Sequence, residues 1–172
     1  MLIIFCGLPG VGKTTVARIV ANRLRAAYVR IDTIEQALKQ AGAGPVGPQG
    51  YLVAYGIAAD NLALGLTVVA DCVNAADVSR AAWREVAQDQ GRRCLFVQLV
   101  CSDAGEHRRR IEERRADLPG HVLPTWAAVT AMAFAPAPPD ALVLDTARLD
   151  PYEAADQVIR SAADEDRRGS GS

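Results

Sequence analysis

The chain has 172 residues, half of them hydrophobic, and its 19 basic and 20 acidic side chains give a net charge of −1. This composition predicts one domain with an apolar core and argues against a generally basic nucleic-acid binder. The sequence contains no run of about 18 apolar residues, so we expect no membrane span. The N-terminus lacks the basic segment of a secretory signal, so we expect no signal peptide. Four cysteines without CxxC spacing indicate buried thiols, so we expect a cytoplasmic protein.

Five short apolar segments predict β-strands in chain order, and a helical pattern follows each of them. The strands are expected at residues 2–6, 27–31, 66–70, 94–100 and 141–144, and the helices near 13–25, 33–41, 51–64, 77–90, 104–116, 125–134 and 151–163. Continuous rather than alternating hydrophobicity favours parallel strands that are buried on both faces. The alternation predicts a three-layer α/β fold, with a single domain over 1–163 and a disordered tail over 164–172.

The first predicted strand leads directly into GLPGVGKT at residues 7–14, which matches the phosphate-binding pattern GxxxxGK[ST] at every specified position. The glycines let backbone N–H groups point at phosphate oxygens, and the following helix adds its positive N-terminal end. Lys13, one of two lysines beside 17 arginines, supplies a compact charge for the β- and γ-phosphates. The predicted nucleotide-binding residues are Gly7, Leu8, Pro9, Gly10, Val11, Gly12, Lys13, Thr14 and Thr15.

The expected ligands of this loop are ATP and Mg²⁺. A GTPase would need a guanine-reading [NT]KxD sequence, and the second lysine, Lys39, lies in LKQA instead. ATP is therefore the nucleotide that remains. The Thr14 hydroxyl is a candidate ligand for Mg²⁺.

Polar side chains follow the second and third predicted strands. Asp32 follows strand 2, Asp71 follows strand 3, and Asn74 comes three residues later. Ligands of open α/β sheets bind beyond the carboxyl ends of the strands, so all three are candidates for binding a phosphate acceptor. Asp71 is also a candidate ligand for Mg²⁺, and which aspartate is the base stays open. The structural alternatives are a helix N-cap for Asp32 and a strand-end turn for Asp71 and Asn74.

Residues 108–115 read RRRIEERR and concentrate five arginines in one helical segment. Arg110 and Arg114 are four residues apart and share a face, where a closing lid could neutralise a transferring phosphoryl group. The alternatives are a solvated face balanced by the two glutamates, or a nucleic-acid patch, which lacks interleaved aromatic residues. His107 and His121 have no metal-spaced partners and are expected at the surface or in the lid.

Together, GLPGVGKTT, VRID, VVADCVN and EHRRRIEERR resemble the small P-loop kinases. That group includes gluconate and shikimate kinases, chloramphenicol phosphotransferase, the polynucleotide 5′-kinase domain and bacterial AAA family ATPases of the small-kinase type. The resemblance covers residues 1–163 and implies a P-loop NTPase fold, a five-stranded parallel sheet of order 2-3-1-4-5 and an arginine-rich helical lid at about 104–122. It also implies that Asp32 contacts the acceptor hydroxyl, that Arg110 and Arg114 act on the phosphates, and that Thr146 follows the last strand beside the adenine.

The sequence thus predicts an ATP-dependent kinase that transfers the γ-phosphate to a hydroxyl group of a small molecule. Its expected catalytic residues are Lys13, Asp32, Arg110 and Arg114. Apart from Arg30, no arginine lies near the expected acceptor residues 32–74, which favours a neutral sugar, polyol, nucleoside or antibiotic. The alternatives are a polynucleotide 5′-hydroxyl kinase and a regulatory ATP-binding module without transfer activity. We expect neither nucleic acid nor membrane as a partner, and the sequence leaves the oligomeric state open.

Overall fold

The computed structural model describes residues 1–169 and contains a five-stranded parallel sheet with helices on both faces. The strands are β1 (Leu2–Cys6), β2 (Ala27–Arg30), β3 (Val68–Asp71), β4 (Cys94–Val100) and β5 (Leu142–Asp145). The helices are α1 (Lys13–Leu24), α2 (Ile31–Gln40), α3 (Gln49–Ala63), α4 (Asp77–Asp89), α5 (Ala104–Glu113), α6 (Trp126–Thr130) and α7 (Pro151–Gly169). The strand order β2-β3-β1-β4-β5 confirms the predicted α/β fold with a P-loop strand at its centre.

The central strand β1 explains why the predicted strands read as continuous apolar runs. All five of its residues are buried, and alternate side chains point to opposite faces of the sheet. Ile3 and Phe5 belong to the core that α1 and α7 cover. Leu2 and Ile4 belong to the core that α3 and α4 cover. Because both faces are covered, neither set of side chains can be polar.

The strand register brings the ends of three neighbouring strands to one level. Phe5 of β1 pairs with Asp71 of β3, and Arg30 of β2 pairs with the same residue. The loop that follows β1, the carboxylate that ends β3 and the first residues after β2 therefore lie together at one edge of the sheet. Ligand sites of parallel sheets form at this edge.

Several element boundaries differ from those expected. Strand β2 ends at Arg30 and α2 begins at Ile31, so Asp32 lies inside the first turn of α2. Helix α3 begins at Gln49 instead of about 51, and α6 stops at Thr130 instead of 134.

The C-terminal segment is helical where disorder was expected. Helix α7 continues through residues 164–169, which corrects the expected disordered tail over that range, while 170–172 lie outside the described residues. An i,i+3 ion pair between Asp164 and Arg167 and a pair between Arg93 and Glu165 stabilise this extension. In the part of the chain that the structure describes, no helix is long and apolar enough to cross a bilayer.

Candidate active site

The phosphate-binding loop connects β1 to α1, and its glycines cannot be replaced without strain. Gly7 has φ +143°, and a Cβ atom there would lie 2.4 Å from the carbonyl oxygen of Leu99. Gly10 has φ +83°, and a Cβ atom there would lie 2.5 Å from Cδ1 of Ile111. Both positions therefore need glycine for its conformation and for space. The loop curls closely against β4 and α5 because these two residues have no side chain.

Lys13 is the first residue of α1, and its ammonium group folds back over the loop. The Nζ atom donates a hydrogen bond to the carbonyl oxygen of Leu8 at 2.9 Å, and the side chain is buried. Burial lowers the pKa of the Lys13 ammonium, and the carboxylates of Asp71 and Asp32 oppose that shift. The position of Nζ is thus fixed by the loop backbone rather than by a carboxylate, which leaves its charge directed at the cleft.

A cleft of about 710 Å³ opens above the loop and the ends of β2 and β3. It brings together most of the residues predicted from the sequence: Pro9, Gly10, Gly12, Lys13, Thr14, Thr15, Asp32, Asp71, Arg110 and Arg114. Of the other predicted residues, Gly7, Leu8, Val11 and Asn74 do not line it. The opposite wall is an irregular segment between α5 and α6, residues 114–125, which we call the strap.

The two predicted carboxylates differ in how firmly they are held. The hydroxyl group of Tyr28 donates a hydrogen bond to Asp71 at 2.7 Å, and only 3% of the Asp71 side chain is exposed. Asp32 is 32% exposed and has one long contact, at 3.4 Å, with the guanidinium of Arg30. Arg30 occupies the N-cap position of α2, and Asp32 makes no side-chain capping bond. The N-cap alternative for Asp32 is therefore not realised, and its carboxylate is free to meet a ligand.

Asn74 faces the core instead of the cleft. It is fully buried, its backbone has φ +53°, and its Nδ2 atom donates to the sulfur of Cys6 at 3.2 Å. Asparagine tolerates this left-handed conformation better than most residues do, which fits the turn alternative. Its backbone N–H donates to the hydroxyl oxygen of Tyr51 at 3.1 Å. The structure does not bring Asn74 to the acceptor, so the predicted amide contact is corrected to a structural one.

The five arginines of residues 108–115 divide into three groups. Arg108 and Arg109 pair with glutamates of their own helix, as the solvated-face alternative predicts. Arg110 lines the cleft, but its Nη1 and Nη2 atoms donate to the hydroxyl and carbonyl oxygens of Thr146 at 2.9 and 3.0 Å. Arg114 and Arg115 also line the cleft, and within residues 1–169 neither has a carboxylate at salt-bridge distance.

Thr146 joins the loop that follows β5 to the phosphate-binding loop. Its hydroxyl group lies 3.0 Å from the carbonyl oxygen of Val11 and 3.1 Å from that of Val100, and it accepts the bond from Arg110. The side chain is buried, so these partners replace water. The residue expected near the adenine is thus a structural link between three elements.

His107 contacts the phosphate-binding loop directly, which the sequence analysis missed. It is buried, and its Nε2 atom lies 2.8 Å from the carbonyl oxygen of Pro9. Since a carbonyl oxygen only accepts hydrogen bonds, Nε2 carries the proton. The indole of Trp126 packs edge-on against the imidazole at 5.2 Å between ring centroids. Of the two expected positions, surface or lid, His107 therefore takes the lid position but is buried, whereas His121 lies in the strap and lines the cleft.

A second missed feature is an ion-pair cluster at the edge of the cleft. The Arg30 side chain is 2% exposed and binds Asp117 of the strap through two hydrogen bonds, at 2.7 and 3.0 Å. Arg18 of α1 donates to the same carboxylate at 2.8 Å. The hydrogen bond from Arg30, and to a lesser extent that from Arg18, lowers the pKa of the Asp117 carboxyl group. Gln36 holds the strap nearby by donating to the carbonyl oxygen of Pro119 at 2.8 Å.

Comparisons with known proteins agree with this architecture. Residues 2–133 match the family model described as AAA domain. No curated protein sequence matches the chain. A gluconokinase from Sinorhizobium meliloti 1021 superposes with a TM-score of 0.67 at 18% identity, over 99% of this chain and 97% of that one.

Two further structures are similar over nearly the whole length. Kti12 from Chaetomium thermophilum, solved in complex with ADP-AlF3, has a TM-score of 0.68 at 19% identity, covering 95% of this chain and 98% of its own. The APS kinase CysC of Mycobacterium tuberculosis, in complex with AMPPNP and APS, has a TM-score of 0.67 at 20% identity, covering 94% and 95%. At these identities the likeness shows a common fold.

Proposed function

Since the chain belongs to the AAA domain family and resembles the small P-loop kinases, we propose that it is an ATP-dependent kinase acting on a hydroxyl group of a small molecule. The observation that carries this proposal is the meeting of Lys13, Asp32 and Asp71 in one cleft. The lysine of the phosphate-binding pattern shares this cleft of about 710 Å³ with one carboxylate at the end of β3 and one in the first turn of α2. This arrangement suits phosphoryl transfer, which depends on positioning and charge stabilisation.

The nucleotide phosphates are placed on the loop at residues 7–14. Its backbone N–H groups and the N-terminus of α1 favour negative charge there. The Lys13 ammonium suits the β- and γ-phosphates because its position is set by the bond to the Leu8 carbonyl oxygen. Arg114 and Arg115 approach from the strap side of the cleft, where unpaired guanidinium groups can stabilise the charge of the transferring group. Arg110, predicted for this role, instead shapes the nucleotide end of the cleft through Thr146.

The donor atoms at the loop fit Mg²⁺. Magnesium takes oxygen ligands, and at phosphate sites it is held by one or two protein groups plus the phosphates. The Thr14 hydroxyl and the Asp71 carboxylate both line the cleft, and within residues 1–169 no cluster of three or more acidic, histidine or cysteine side chains competes with them. Thr14 and Asp71 would hold the ion, which when bound would neutralise charge on the β- and γ-phosphates.

We assign the acceptor hydroxyl to Asp32. Asp71 is buried and already accepts the Tyr28 hydroxyl, whereas Asp32 is part-exposed and loosely held. The acceptor hydroxyl needs a carboxylate that is exposed to the cleft and has spare acceptor capacity, and Asp32 has both. Tyr28 occupies Oδ2 of Asp71, which leaves its Oδ1 atom for Mg²⁺. In a loose transition state its main effect is to orient the hydroxyl in line with the γ-phosphate and to receive the proton as the bond forms.

The two alternative functions have less support in the structure. A polynucleotide kinase needs a basic surface for the nucleic-acid backbone, but Arg108 and Arg109 are paired with glutamates. A regulatory module needs no second carboxylate in the cleft, yet Asp32 lines it, part-exposed and with one long contact to Arg30. We also place the activity in the cytoplasm, a proposal supported by the four cysteines, which are all free thiols.

The test begins with a cell extract and no assumed substrate. Purified protein with ATP and Mg²⁺ is incubated with extract metabolites, and mass spectrometry identifies any metabolite that gains a phosphate. ADP release is then measured with that compound for the wild type, Asp32→Asn and the matched control Asp60→Asn, an exposed carboxylate on α3.

Asp32→Asn is expected to lower acceptor-stimulated ADP release by about 100-fold or more while ATP binding persists. Asp60→Asn is expected to behave as the wild type. A metabolite phosphorylated equally well by Asp32→Asn would contradict the role of Asp32. The absence of any phosphorylated metabolite would contradict the kinase function.

A further inference from the structure

The Arg30 guanidinium group already holds a carboxylate, and that carboxylate belongs to the protein. Its Nη1 atom donates to Oδ2 of Asp117 at 2.7 Å, and its Nη2 atom donates to Oδ1 at 3.0 Å. Two parallel bonds of this kind are the geometry in which arginine recognises a carboxylate with most specificity. Arg18 adds a third bond to the same group at 2.8 Å. Residues of β2 and α1 thus form a complete carboxylate site at the edge of the cleft.

The Arg30 guanidinium depends on a carboxylate that the strap brings to it from another part of the chain. The Arg30 side chain is 2% exposed, its Nε atom has no hydrogen-bond partner, and Asp32 and Asp71 lie at 3.4 and 3.8 Å. Asp117 therefore accepts both of the short hydrogen bonds that the guanidinium donates. If the strap moves aside, a buried charge loses its two best partners, which is costly unless another carboxylate replaces them.

The Asp117 carboxylate is suited to being replaced. Its side chain is 38% exposed, it lies on an irregular segment, and its Oδ2 atom is shared between Arg18 and Arg30. The position also lies at the acceptor end of the cleft, since Arg30, Asp32 and Asp117 all line the same space. A ligand carboxylate on Arg30 would sit beside the aspartate that we assign to the acceptor hydroxyl.

From this geometry we infer that the phosphate acceptor is a hydroxy acid, and that its carboxylate takes the place of Asp117 on Arg30. The inference rests on the kinase function proposed above and specifies its substrate class. It also revises the expectation of a neutral acceptor. That expectation set Arg30 aside as a single exception, whereas the carboxylate site combines Arg30 at the end of β2 with Arg18 in α1.

The test uses matched pairs of compounds that differ in the carboxylate alone. Gluconate is compared with sorbitol and glycerate with glycerol, together with the metabolite phosphorylated in the extract and its carboxyl-reduced counterpart. ADP release gives KM and kcat for the wild type, Asp117→Asn and the control Asp156→Asn. Asp156 pairs with Arg23 on the surface, so its substitution also removes a carboxylate from an arginine.

The direction in which Asp117→Asn changes KM distinguishes two roles for Asp117. It either occupies the site of the ligand's carboxylate or holds the strap in the position that binding requires, which we call the latch role. Removing a competing carboxylate should lower the KM of the hydroxy acid by about tenfold and leave that of the neutral alcohol unchanged. Asp156→Asn should change neither. A latch would give the opposite result for Asp117→Asn, a higher KM for acids and alcohols alike, and would overturn the inference.

The identity of the extract metabolite separates this inference from the proposed function. A phosphorylated metabolite that carries a carboxylate supports both. A phosphorylated metabolite without a carboxylate overturns the substrate class and leaves the kinase function standing. If no metabolite gains a phosphate, the kinase function fails, and this inference fails with it.

Discussion

Thr146→Val tests the link between the phosphate-binding loop and the loop after β5. Valine has nearly the same shape as threonine, so the substitution removes the hydroxyl group without opening a cavity. The hydroxyl's bond to a carbonyl oxygen of Val11 or Val100 is lost, as is the bond that it accepts from Arg110. Arg110 keeps its bonds to the Thr146 carbonyl oxygen and to Glu106, so its charge is not left unpaired. Losing one neutral and one charged bond should lower the free energy of unfolding by about 2 kcal/mol.

The assay is urea denaturation of the wild type, Thr146→Val and a control, Thr130→Val. The Thr130 hydroxyl is exposed and bonds only to carbonyl oxygens of its own short helix, so its loss should cost less than about 0.5 kcal/mol. ATP affinity is measured in parallel and should fall only for Thr146→Val, because the loop carbonyl of Val11 is released. Equal stability changes in both variants would refute the assignment of Thr146 as a link.

Three further predictions concern the loop, a helix and the strap. Lys13→Arg keeps the positive charge but cannot fit its planar fork over the loop, so ATP binding measured by calorimetry should be lost; retained affinity would contradict the role given to the Leu8 bond. Gly10→Ala should lower the free energy of unfolding by about 2 kcal/mol, because Gly10 has φ +83° and a Cβ atom there would meet Ile111. Gly56→Ala in α3, where a Cβ atom would meet open space, should raise the free energy of unfolding by about 0.5 kcal/mol. Thermal unfolding that shows changes of the same sign in both variants would contradict this reasoning. The pKa of Asp117 in the folded protein lies below its unfolded value of about 3.9. Its stabilising effect is therefore present above about pH 4 and is lost as the pH falls. Asp117→Asn should consequently lose less stability on acidification than the wild type does, as measured by urea denaturation.

The parts of the site that the sequence predicted are those with a local pattern. The phosphate-binding loop is a contiguous segment whose glycines and lysine have fixed spacing, and Asp32 and Asp71 follow recognisable strands. Continuous apolar runs indicated parallel strands because both sheet faces are covered. The strand order came from the resemblance to a known family rather than from the pattern itself.

The parts that were missed join side chains far apart in the chain. Arg30 and Asp117 are separated by 87 positions, and His107 and Pro9 by 98. Such pairs leave no periodicity in a single sequence, so each residue could be weighed only by its neighbours. For the same reason, the spacing in residues 108–115 identified glutamate partners within α5 but could not show that Arg110 reaches Thr146.

The contacts of α5 determine which part of the cleft wall can move. Displacing this helix would break the His107 bond to Pro9, withdraw Ile111 from beside Gly10 and detach Arg110 from Thr146. Displacing the strap would break the bonds from Arg18 and Arg30 to Asp117 and the Gln36 bond to Pro119.

The hinges are therefore expected at Arg114, which caps the end of α5, and at Thr125, which caps the start of α6. We expect the moving part to be this short segment rather than the whole lid. Because Arg114 lies at one of its expected hinges, that arginine should stay near Lys13 while the other end of the segment opens.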